Sequence, residues 1–241
     1  MSETSRLPLI CSRRVALGSM LAFMAQSQWA YGISSKLIAK QEREFDIFID
    51  GSARGESRLI ISEFEDGHAS VAVSGKISLN LILFTFQYEL SETEVWHGEN
   101  FLRAETEVNN NGTKSKVALT SNKDKSQVSK DGKVATGPRF VWSNNYWRAP
   151  SDEILTKKIH VLESETGDAK LCTLERAGNW TLPVNGEKIT LRKYQLKGEL
   201  QAEVAFDEQG RLAYQKTKKI GRLAELKLRR VRSLDTSIAQ R

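Results

Sequence analysis

The chain is poor in the residues that build covalent or metal scaffolds. Two cysteines in 241 residues exclude a disulfide framework and a multi-cysteine zinc site. Three scattered histidines, His68, His97 and His160, have neither i,i+2 nor i,i+4 ligand spacing, so no metal centre is expected. There is no P-loop, no G-x-S-x-G and no G-x-G-x-x-G, and no cofactor is expected. The charged fraction of 27% and hydrophobic fraction of 39% are those of a folded globular protein, not of a disordered chain or one with several membrane spans. The net charge is +6.

What is present begins with a leader. Arg13-Arg14 precede an uncharged apolar run over residues 15–25. As a helix this run is about 16 Å long, too short for a ~30 Å hydrocarbon core. A positive flank, a short apolar stretch and small residues after it predict a cleaved export signal over residues 1–30. Ser12-Arg13-Arg14-Val15-Ala16-Leu17 resembles the bacterial twin-arginine signal, although the usual Phe and Lys are missing and a general secretory signal stays open. Either route implies the matching export machinery as a partner and a periplasmic or secreted mature protein. Cleavage after Ala25-Gln26-Ser27 removes Cys11. The mature chain then keeps Cys172 alone, so an intramolecular disulfide is not expected.

Residues 44–232 read as a single β domain. Apolar residues alternate with polar ones in short runs, and Asp-Gly, Asn-Gly and similar turns separate them. Phe45, Ile47 and Ile49 lead into Asp50-Gly51, and Asn109-Asn110-Asn111-Gly112 is the strongest turn of the chain. From Ile77 to Tyr88 the apolar face changes from odd to even positions, as in a strand covered on both faces or bent. The lysine-rich stretch 121–137 reads as a weak edge hairpin or a mobile loop. Ser151 is a candidate helix cap before Asp152-Glu153. Residues 31–43 are a leader or, from the Leu37/Ile38/Gln41 spacing, a short helix; residues 233–241 are a disordered tail. Roughly a dozen strands with short connections predict an all-β fold with little helix, one large antiparallel sheet curled into a half-barrel or open barrel.

Two groups of residues are candidates for function. Tyr88, Trp96, Trp142, Tyr146 and Trp147 are aromatics suited to lining an apolar cavity, as is Trp180. Trp142, Tyr146 and Trp147 share an irregular segment with Arg148, which points to an apolar or amphiphilic ligand held in the concave face beside a cation. The second group is a basic face near the C-terminus, Lys227, Arg229 and Arg230, suited to anionic lipid head groups or an acidic envelope protein. Nucleic acid is not an expected partner of an exported chain. A third possibility, a hydrolase or isomerase, requires His97, Glu99 and a second acid to meet in one cleft.

The order of several motifs resembles DUF6134, a family of exported bacterial proteins of unknown function. Phe45-Asp46-Ile47-Phe48-Ile49-Asp50-Gly51 with Gly55 is similar to its opening hairpin. Tyr88 through Glu94-Val95-Trp96-x-Gly98, Asn110-Asn111-Gly112, Tyr146-Trp147, Thr166-Gly167, Tyr194-x-Leu196-x-Gly198 and Phe206-Asp207-x-x-Gly210-Arg211-Leu212 follow in order. Phe206 stands where related chains carry tryptophan. The resemblance covers most of residues 44–231 and implies no established activity. In outline it is similar to other exported curled-sheet proteins, including carriers of lipids.

Overall fold

The computed structural model describes residues 35–80, 85–184, 186–219 and 221–234. The expected export signal, residues 1–30, lies outside them. Fifteen strands form one sheet among the described residues. They are β1 (Leu37–Ile49), β2 (Ser52–Phe64), β3 (His68–Asn80), β4 (Thr85–His97), β5 (Asn100–Asn110), β6 (Thr113–Ser121), β7 (Lys125–Lys130) and β8 (Lys133–Pro138). After these come β9 (Trp142–Ser143), β10 (Lys158–Glu163), β11 (Asp168–Val184), β12 (Glu187–Gly198), β13 (Ala202–Phe206), β14 (Leu212–Lys219) and β15 (Arg222–Ser233). The spatial order runs β8 down to β1, then β15 down to β9, so the first and last strands meet in the middle. All pairs are antiparallel except β9 with β10. The sheet is not closed into a barrel.

Turn chemistry explains the meander. Asp50-Gly51, Asn111-Gly112 and Asp131-Gly132 all have positive φ at both residues, the geometry of the two-residue turn that matches strand twist. Alternation does the rest. Phe45, Ile47 and Ile49 of β1 are buried on the inner face, with Leu59 and Ile61 of β2 and Val71 of β3 beside them.

Residues 139–167, which include β9 and β10 at one edge of the sheet, bring Phe140, Trp142, Tyr146, Trp147, Val161 and Leu162 into the same buried core as that inner face. The turn between β10 and β11 shows how closely they fit. A Cβ on Gly167 would stand 2.7 Å from Val128 and 3.2 Å from Val117, on β7 and β6. The core therefore lies between the sheet and a segment of its own chain.

Several expectations need correction. Residues 35–43 contain no helix, and 31–34 lie outside the described part: β1 begins at Leu37, because β2 lies on one side of it and the end of β15 on the other. Paired ladders on both flanks outweigh a weak helical spacing. Ser233 belongs to β15, and the Leu234 amide donates to the Lys40 carbonyl at 2.8 Å, so ordered structure extends into the expected tail; residues 235–241 are outside the described part. The stretch 77–88 is not one bent strand. Ile77 pairs with Tyr88 and Leu79 with Phe86, so the change of parity marks a chain reversal between β3 and β4. Ser151 makes no side-chain cap, and only a 3-10 turn, Asp152–Ile154, follows it. The 121–137 stretch is an edge hairpin, β7 with β8.

Candidate functional site

One end of the curl is filled by the aromatic segment. Trp96 stacks on Phe101 at 4.5 Å and meets Trp147 edge-on at 6.0 Å. Trp142 contacts Tyr146 at 5.0 Å and Phe206 at 6.1 Å. The Arg148 guanidinium lies 4.7 Å from the Trp96 ring and 5.1 Å from that of Trp147, and it donates to the Gly98 carbonyl at 2.6 Å. The Arg211 guanidinium also lies 5.2 Å from the Trp147 ring and pairs with Glu63.

Trp96, Trp142 and Trp147 are thus core residues rather than the wall of a ligand cavity, with 0–2% of their surface exposed. Large indole faces gain most by full burial, and a cation stacked between two of them is already engaged. Trp180 also packs within the protein, edge-on to Tyr214 at 4.5 Å.

Behind these rings lies a group that sequence reasoning missed. Glu92 and Glu94 occupy the inner row of β4, between Leu90 and Trp96, and both are buried. Their cross-strand neighbours are Val73 and Thr106 for Glu92, and Val71 and Ala104 for Glu94. Glu94 accepts hydrogen bonds from Asn145 at 2.8 Å and from the Trp96 indole at 2.9 Å. Glu92 has no hydrogen bond of good geometry at either oxygen; Ser164, Asn145 and Glu94 are its polar neighbours. Burial, then the Glu94 charge, push the Glu92 carboxyl well above the ordinary range. Asn144 completes the set by accepting from both the amide and hydroxyl of Ser164, at 3.1 and 2.8 Å. The sequence signal was present: two acids at even positions in a strand whose even face is apolar.

The other end of the curl is open. Ile77 and Leu79 of β3 and Phe86, Tyr88 and Leu90 of β4 form a half-buried inner row. Tyr88 faces Glu165, and burial, with that carboxylate, pushes its phenol far up. Glu165 borders a recess of about 500 Å³ whose wall includes Asn144, Tyr146, Lys170, Gln201 and Gln215. Of the predicted aromatics, then, Tyr146 lines this recess and Tyr88 faces its Glu165, while the tryptophans are not part of its wall.

The basic C-terminal face is largely neutralised. Arg229 pairs with Asp46 at 2.9 Å, Glu44 at 3.3 Å and Glu56 at 3.7 Å. Arg230 reaches Glu44 at 3.9 Å, Lys227 pairs with Glu225 at 3.5 Å, and Lys227 also lies 4.5 Å from the Phe48 ring. Because β15 lies against β1, its bases meet acids that are distant in sequence. His97 stacks on His68 at 4.6 Å, and its Nε2 lies 3.1 Å from the Asp66 carbonyl. Cys172 is a buried free thiol, pushed up by burial.

The sequence order and this topology can be compared with known proteins. A family described as "Domain of unknown function (DUF6134)" matches residues 45–229, from β1 into β15. The chain belongs to the DUF6134 family. No curated protein matches it. Among solved structures, this DUF6134 chain is similar to a "Beta-barrel-like Protein of Domain of Unknown Function DUF1849 from Brucella abortus". The TM-score is 0.63 at 7% identity, over 82% of this chain and 98% of the other. At that identity the likeness shows a shared fold and nothing of function. The DUF6134 match spans the β4 strand that carries Tyr88, Glu92, Glu94 and Trp96.

Proposed function

We propose that the protein is an exported binding module that holds an apolar or amphiphilic molecule at the open end of its curled sheet. The observation that carries this reading is the contrast between the two ends. Tryptophans seal one end, whereas the other leaves Ile77, Leu79, Phe86, Tyr88 and Leu90 half-buried beside a polar recess. An apolar wall opposite polar groups suits a molecule with a greasy body and a polar head. The recess carries both signs of charge, Lys170 with Glu165, so it fits a polar or zwitterionic head better than a purely anionic one.

The test is a fluorescence titration of the purified protein with a polyene fatty acid and with the zwitterionic lysophosphatidylcholine that carries the same chain. Saturable micromolar binding, about −8 kcal/mol, is expected for the amphiphile. It should be lost when Leu79 and Phe86 are replaced by Glu and kept when Trp142 is replaced by Phe. Absence of saturable binding, or binding indifferent to the Leu79 and Phe86 changes, overturns the proposal.

A further inference from the structure

The two edges of the sheet differ. At one edge β9 has two residues, both buried. At the other, β8 has a neighbour on one side only. Four of its six residues are exposed, and Val134 is 70% exposed. The Asp131-Gly132 turn closes the Lys130–Lys133 pair. In that register Lys133, Ala135 and Gly137 exchange hydrogen bonds with β7, and the peptide groups of Val134 and Thr136 point away from the sheet. A row of outward N–H and C=O groups is a template for another strand. Lys133 and Pro138 guard only its two ends.

The charge around this edge is one-sided. Residues 113–139 hold six lysines and Arg139 against Asp124 and Asp131. Among the described residues, Lys116 is the lysine of this stretch with an ion-pair partner, Glu107 at 2.9 Å. Asp131 spends one oxygen on the Lys116 amide. The excess of positive charge therefore sits here, not on the neutralised C-terminal strands.

We propose that β8 is a docking edge for an extended acidic segment of another protein, which joins the sheet as an additional strand. The free peptide groups call for a strand, since a lipid surface offers none to match them. The lysines call for acidic side chains on it. A second copy of this chain fits poorly, because pairing β8 with β8 would bring the two lysine clusters together.

Fluorescence anisotropy of a labelled eight-residue peptide alternating Glu with Val and Thr, added to the full chain, provides the test. Binding is expected to weaken steeply with salt and to fall about tenfold when alternate peptide amides are N-methylated, since those can no longer donate. The Val134→Pro variant should give a similar loss, because that N–H lies outside the β7 ladder and an edge tolerates proline there. Hydrogen exchange at Val134 and Thr136 should slow when the peptide is present. The proposal fails if the N-methylated peptide binds as well as its parent, which would reduce the effect to charge alone. It fails too if anionic vesicles or a second copy of the chain protect those amides and the peptide does not.

Discussion

Glu92 and Glu94 stand two residues apart on the inner face of one strand, both sealed from solvent, yet the Asn145 amide and the Trp96 indole both donate to Glu94. Asn145 and the Trp96 indole hold its two oxygens, while those of Glu92 are left without a bond of good geometry. Two carboxylates this close do not both ionise in a low-dielectric interior. Glu92, raised by burial and by the neighbouring Glu94 charge, is the one that keeps its proton.

The stability of the protein should therefore depend on Glu92 in a definite direction. Its folded-state affinity for a proton is raised, so between the ordinary carboxylate range and that raised value the folded state binds more protons than the unfolded one. Stability then falls as pH rises through this window and levels off above it. Glu92→Gln keeps the shape and removes the proton. The variant should be more stable than wild type at neutral pH by about 1–3 kcal/mol, with the gain vanishing near pH 4. Urea midpoints measured from pH 4 to 8 check this; equal midpoints at neutral pH would refute it.

Glu94→Gln should act the other way. It exchanges a charge-assisted bond from Asn145 for a neutral one and makes one of its oxygens a donor facing the Trp96 N–H. A loss of about 2–3 kcal/mol is expected. In the double variant the gain from Glu92→Gln and this loss should not simply add, because the Glu94 charge is one cause of the raised proton affinity of Glu92. A double-mutant cycle with a coupling energy near zero would dissolve the pair.

Much of the fold was legible because strands alternate and Asp-Gly and Asn-Gly turns have one dominant geometry. What escaped was set by long-range pairing. The parity change between Leu79 and Phe86 is visible in the sequence, but a bent strand and a hairpin produce the same pattern, and only the Ile77–Tyr88 register decides. The bases of β15 look like a free surface until β1 is laid beside them, with Glu44 and Asp46 more than 180 residues away. Trp142 and Trp147 look like a binding loop for the same reason. Nothing local reveals that their segment turns inward and fills the curl. Glu92 and Glu94 were readable as acids in an apolar row, but no sequence feature names the Asn145 and Ser164 that meet them.

Arg43 on β1 gives a third prediction. Its side chain is 1% exposed and pairs with Asp207 at 2.6 Å across the curl, with Gln41 accepting a second bond at 2.9 Å. Burial lowers the proton affinity of the guanidinium, and Asp207 offsets this. Asp207→Ala should cost about 3–5 kcal/mol by leaving that cation uncompensated, whereas adding Arg43→Met should recover most of the loss. Thermal or urea unfolding of the single and double variants separates the two states. A double variant no more stable than Asp207→Ala would mean that the bridge itself, rather than the avoided charge, holds β1 to the β13–β14 turn.

The turn at Gly167 tests whether the inserted segment truly seals the curl. Its φ of +76° already favours glycine, and a Cβ would overlap the Val128 side chain at 2.7 Å. Gly167→Ala should therefore lift the turn from β6 and β7 and cost about 1–3 kcal/mol. Shortening the obstacle with Val128→Ala in the same chain removes the overlap but not the backbone strain, so it should recover only part of the loss. The Trp142 and Trp147 rings pack on Tyr146, Phe206 and Trp96 rather than on the Val128 and Val117 that meet Gly167. Their near-ultraviolet circular dichroism should therefore stay native while hydrogen exchange accelerates at Ser164 and Thr166. Loss of the tryptophan signal together with the exchange protection would mean that the whole segment 139–167 detaches as one unit, and that the two ends of the curl are not independent.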